Sequence, residues 1–108
     1  MPKYLFIFRQ STDPQSQPSP EEMQALGGQW YAWMQKYSAS IQPGGDGLKP
    51  DGRLVRGAIV TDGPYVEAKE FVASFSLIQA DGYDAAVAIA RECPGDNVVE
   101  IRELGGYA

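Results

Sequence analysis

Tyr4 to Phe8 is an unbroken apolar run of five residues between Lys3 and Arg9. A strand of this kind has two faces that leave water, the pattern of a central strand covered on both sides. Gln10 to Pro18, rich in Ser, Gln and Pro, reads as a loop. Ser19-Pro20-Glu21-Glu22 then starts a helix: Ser19 caps it, Pro20 fits the first helical position and Glu22 completes a capping box. Met23, Leu26, Trp30, Trp33, Met34 and Tyr37 follow at helical spacing as one apolar stripe. Gly27 and Gly28 interrupt this helix at about 1 kcal/mol each relative to Ala. A close approach of helix to sheet is the reading that accounts for them.

Residues 41–57 are punctuated by Pro43-Gly44-Gly45-Asp46-Gly47 and by Pro50-Asp51-Gly52. Short strands are predicted near Ile41 and over Leu54–Arg56, with Ala58 to Thr61 extending the second and Asp51-Gly52 as a hairpin signal. Asp62-Gly63-Pro64 forms another turn. A further strand runs from about Phe71 to Gln79, where Ala73, Phe75 and Leu77 alternate with Ser74, Ser76 and Ile78. Asp81 is expected to cap a second helix carrying Tyr83, Ala86, Val87, Ala90 and Cys93 on one face, ended by Pro94-Gly95. Val98 to Glu103 alternates again and closes the chain as a strand.

This order predicts an α+β fold: a ferredoxin-like split β-α-β layout with an inserted β-hairpin. Two helices cover one face of such a sheet, while the first strand is apolar on both. A second copy packed sheet to sheet, as a homodimer, supplies the missing cover.

The chain's 108 residues suit one domain, 1–108, and its 44% hydrophobic and 21% charged residues describe a globular chain. The net charge of −5 argues against nucleic acid and anionic membrane as partners. The N-terminal apolar run is too short for a signal-peptide core, so a cytoplasmic location is expected. One cysteine excludes an internal disulfide framework, and Cys93, without a basic neighbour, reads as structural. Histidine is absent altogether. That removes the commonest general base, the Ser–His and Cys–His nucleophile pairs and the usual zinc ligand. Acids alone favour hard cations, and without calcium-loop spacing no metal site and no cofactor are expected.

Candidate chemistry concentrates in Asp62-Gly63-Pro64-Tyr65-Val66-Glu67-Ala68-Lys69-Glu70. The plainer reading has Asp62 in an Asx turn and Lys69 paired with a neighbouring glutamate. The segment resembles the motif that names the DGPF (DGPFAETKE) family of the YCII-related superfamily, matching six of its nine positions with Tyr65 in place of Phe. Gly44-Gly45-Asp46-Gly47-Leu48-Lys49-Pro50 is similar to the family's GGEGLxP segment. The resemblance implies a dimeric α/β barrel of ferredoxin-like subunits. It also implies an association with extracytoplasmic-function sigma factors. The wider superfamily's proposed His–Asp active site does not carry over to a chain without histidine, and Asp62 belongs to a different motif.

The glycine-rich segment is not a phosphate loop, because no Lys-Ser/Thr follows it and Asp46 repels phosphate. Positive φ in a tight crossover explains its glycines better. Trp30, Trp33, Met34 and Tyr37 read as core or as the aromatic wall of a cavity. Arg9, Arg56 and Arg102 read as anion receptors or, with Glu100 or Glu103, as inter-strand ion pairs. Two functions compete, with no commitment to catalysis. One is a small-molecule cleft between the first helix, the sheet and the motif loop, using Asp62, Gly63, Pro64, Tyr65, Glu67, Lys69 and Glu70. The other is a non-catalytic accessory module that docks on a sigma factor.

Overall fold

The computed structural model describes residues 1–64 and 69–107. Its elements are β1 (Lys3–Ser11), α1 (Pro20–Lys36), β2 (Ile41–Gly47), β3 (Gly52–Arg56), β4 (Ile59–Gly63), β5 (Glu70–Gln79), α2 (Tyr83–Arg91) and β6 (Val98–Glu103). Strands β2, β5, β1 and β6 form one antiparallel sheet in that order, while β3 and β4 pair only with each other. Without the hairpin, the four strands lie 2-3-1-4 in chain numbering, which is the ferredoxin-like α+β arrangement. No helix among the described residues is long and apolar enough to cross a membrane.

The capping box forms as the sequence predicts. Ser19 Oγ accepts from the Glu22 N–H at 3.2 Å, and Glu22 Oε1 accepts from the Ser19 N–H at 3.4 Å. Below α1 and α2, Tyr4, Phe6, Phe8 and Ile78 of the central strands are buried with Trp33, Ala86 and Ile89. The Trp33 indole N–H donates to the Ile89 carbonyl at 3.0 Å, joining the two helices.

The stripe on α1 is narrower than its spacing predicts. Leu26, Trp30, Trp33 and Tyr37 turn inward, whereas Met23 and Met34 stay exposed. Gly27 and Gly28 have nothing within 4 Å of where a Cβ would sit, so no close approach to the sheet explains them. On α2, Asp81 is not the cap. The helix begins two residues later, Gly82 takes the N-cap position, and no side chain bonds the first turn. Of the face expected on α2, Ala86, Ala90 and Cys93 pack on the core, joined by Ile89, while Tyr83 and Val87 are exposed. Tyr83 instead lays its ring edge-on to Tyr4 and accepts the Glu103 N–H at 3.0 Å.

The hairpin also differs from the expected single strand. The chain turns at Gly57-Ala58, with Gly57 at φ 58°, so Leu54–Arg56 and Ile59–Thr61 run antiparallel instead of continuing. Asp51 lies before β3, and Gly52 is its first residue. The glycine-rich segment forms β2 along β5, with Gly44 at φ 114°. A Cβ on Gly45 would sit 2.7 Å from the Phe75 carbonyl oxygen. Positive φ and a close backbone approach account for two of its glycines.

Candidate functional site

Pairing along β1 and β5 shifts between Phe8 and Arg9, where Phe8 faces Ser74 and Arg9 faces Val72. This bulge, one extra residue on β5, changes the phase of the strand. Phe71 and Gln10 are thereby brought opposite each other and onto the cleft lining with Ser74. The cleft, of ≈ 550 Å³, is lined by Gln10, Thr12, Trp30, Lys49, Phe71 and Ser74, among others. Pro50 and Pro64, the residues on either side of the hairpin, line it too. A second hollow of ≈ 390 Å³ shares Trp30 and Ser74 and continues to Met34, Asp46 and Ser76.

The polar face of β5 therefore looks inward. Ser74 and Ser76 lie opposite Phe8 and Phe6, on the helix side of the sheet. Trp30 stands edge-on to Phe8 at 5.4 Å between ring centroids and forms the wall common to both hollows. Among the described residues, no buried side-chain polar atom lacks a partner. The Trp30 indole N–H and the two serine hydroxyls, which bond to no described residue, are thus accessible on residues that line the hollows. Lys49 is the one charged side chain among the described residues lining the larger cleft. Asp46, in the smaller one, accepts the Gly47 N–H at 2.8 Å.

Of the motif candidates, Pro64 lines the cleft. Asp62 is on the hairpin, its side chain 95% exposed and 3.8 Å from Arg53. Gly63 packs on the backbone of Arg53. Lys69 contributes its carbonyl, which accepts from the Thr12 N–H at 2.8 Å and the Thr12 hydroxyl at 3.2 Å. Glu70 pairs with Ser11 in the sheet. Tyr65 and Glu67 lie outside the described residues. Leu48, Lys49 and Pro50 bring the glycine-rich segment to the cleft. Gln10, Thr12, Phe71 and Ser74 carry no motif signal, but the alternation of serines with apolar residues on β5 marks a strand with one polar face.

On the other face of the sheet, Arg9 donates to Glu100 Oε1 from Nε at 3.3 Å and from Nη2 at 2.9 Å. Arg102 reaches the other oxygen at 3.5 Å. The Arg9 hydrogen bond, foremost, holds the Glu100 carboxyl below its ordinary range. Arg9 forms the inter-strand ion pair expected of it, whereas Arg102 meets the same carboxylate from within β6. Cys93 packs against the core, and burial pushes its thiol up to about 12, leaving it protonated and unreactive at neutral pH.

The stretch from β1 to just beyond β6 matches a known family model, that of the YCII-related domain, over residues 4–104. The chain belongs to the YCII-related family. No curated protein matches it significantly. In this YCII-related domain the cleft and both helices fall within the matched span. Its described cleft lining offers aromatic walls, neutral hydrogen-bonding side chains and one cation, Lys49.

Proposed function

We propose that this YCII-related domain, of the DGPF type, works as a homodimer that binds a small molecule in the cleft beside Trp30. The observation that carries this reading is the composition of the cleft. Aromatic walls from Trp30 and Phe71 flank open hydrogen-bonding groups on Ser74 and Trp30, with Lys49 as a single cation. Few polar groups in a mostly apolar concavity are the usual character of a ligand site. The lining suits a planar, partly apolar molecule carrying one acidic or acceptor-rich end.

The dimer is supported by the sheet face turned away from the helices. Leu5 lies opposite Leu77 and Ile7 opposite Phe75 at its centre, all four half-buried. An antiparallel sheet that faced water there would present polar side chains.

Titration with 2-naphthoate, followed by tryptophan fluorescence, tests the ligand reading. Saturable quenching is expected, lost in Ser74→Phe, which fills the cleft, and weakened in Lys49→Glu. Equal quenching in all three proteins would overturn the cleft. An extracytoplasmic-function sigma factor captured equally by the native chain and by Ser74→Phe would favour the accessory-module reading instead.

A further inference from the structure

Each face of the β3–β4 hairpin carries two exposed aliphatic side chains beside polar ones, and neither face is covered. Leu54 and Ile59 share one face by register, and Val55 and Val60 form a cross-strand pair on the other. They are 39%, 64%, 69% and 60% exposed, respectively. A two-stranded ribbon standing alone in water is marginally stable at best. Four large aliphatic side chains on such a ribbon mark a surface that is covered in the working protein.

The exposed surface is large enough for a second copy to cover it. A compact monomer of 11.8 kDa should expose about 5,900 Å², whereas the chain exposes 7967 Å². The radius of gyration, 15.3 Å, likewise exceeds the ~13 Å of a compact chain of this length. The surplus of about 2,000 Å² is more than the roughly 800 Å² that each partner contributes to a standard stable interface. Charge points the same way. Residues 52–63 carry two arginines against one aspartate, on a chain whose net charge is −5. The arm carries a net +1 and the rest of the chain −6, so a second copy offers it an acidic body.

We propose that the β3–β4 arm is the clasp of the homodimer: a second copy buries Leu54, Val55, Ile59 and Val60. The proposal rests on the dimer reading above but adds a contact separate from the sheet face. It also ties assembly to the site. Pro50 and Pro64, on either side of the arm, line the cleft, and Gly52 lies against Pro64, so that wall of each cleft is held in shape by the arm's grip on the other copy.

Sedimentation velocity over a dilution series, for the native chain and for Val55→Asp/Val60→Asp, tests the clasp. Circular dichroism checks that the variant keeps the core fold. Hydrogen exchange of the native arm, at concentrations above and below dimer dissociation, is a readout independent of any substitution. A native dimer whose dissociation constant rises at least about tenfold in the variant is expected, roughly the loss of one well-buried contact. Arm amides should exchange slowly in the dimer and faster on dilution. A native dimer that the variant leaves unchanged, with arm amides equally fast at both concentrations, overturns the clasp and leaves the sheet-to-sheet dimer standing. A native chain that stays monomeric throughout overturns both.

Discussion

Trp30 and Trp33 stand edge-on with their ring centroids 5.6 Å apart, yet only Trp33 has a protein acceptor among the described residues, the Ile89 carbonyl at 3.0 Å. One turn of α1 thus divides two similar side chains between structure and site. Trp33 is buried and links the helices, while Trp30 faces both hollows.

Trp33→Phe takes one of two donors from the Ile89 carbonyl, which keeps the Glu92 N–H at 3.2 Å, so the lost hydrogen bond costs about 0.5–1.5 kcal/mol. Trp30→Phe removes no protein hydrogen bond and keeps an aromatic edge against Phe8. Denaturant unfolding should therefore rank Trp33→Phe well below Trp30→Phe, while 2-naphthoate affinity should fall more in Trp30→Phe. Similar unfolding midpoints for the two variants would refute this division.

Gly27 and Gly28 sit in a helix with open space at the Cβ position, so each replacement by Ala gains helix propensity without a clash. Gly27→Ala is expected to stabilise by up to about 1 kcal/mol. Gly45→Ala should do the opposite by about 1–3 kcal/mol, because its methyl would meet the Phe75 carbonyl oxygen and the Ser76 Cα. Thermal melts of the two variants should move in opposite directions.

Features that depend on neighbouring residues were legible before the structure. The Ser19–Glu22 capping box, the apolar Tyr4 to Phe8 strand and the Val98–Glu103 alternation all sit where local patterning places them. The Gly57-Ala58 turn was hidden because Ala58 lacks the Asn-Gly signature and Ile59 prolongs an apolar run. The inward face of α2 is only partly legible, because spacing alone allows Tyr83 and Val87 the place that packing gives to Ala85 and Ile89. The cleft was the least legible feature. Gln10, Trp30, Lys49 and Ser74 come from four separate segments, and a bulge with no sequence signature sets the phase of β5.

Asp62 is the most distinctive acid of the motif, but its ion pair with Arg53 is 3.8 Å long and both side chains are largely exposed. Exposed pairs of this kind contribute about 0–1 kcal/mol. Asp62→Ala should thus shift the melting temperature little and leave 2-naphthoate affinity unchanged. A tenfold loss of affinity would place Asp62 in the site despite its exposure.

Glu100 gives the fold an acid-sensitive contact. Its carboxyl, held low chiefly by the Arg9 hydrogen bond, has a folded pKa below its unfolded value of about 4.3. Such a group adds stability that is fully present above the unfolded pKa and is lost as pH falls through the folded one. The native chain should therefore be more stable than Glu100→Gln at pH 7, with the difference shrinking below about pH 4.3. Because the carboxylate is 34% exposed, added salt should narrow the gap at pH 7 as well. Melting temperatures of both proteins from pH 7 to pH 2.5, at low and high salt, check this. A gap that persists undiminished at the acid end would show that Glu100 acts through packing, with its charge irrelevant to the β1–β6 contact.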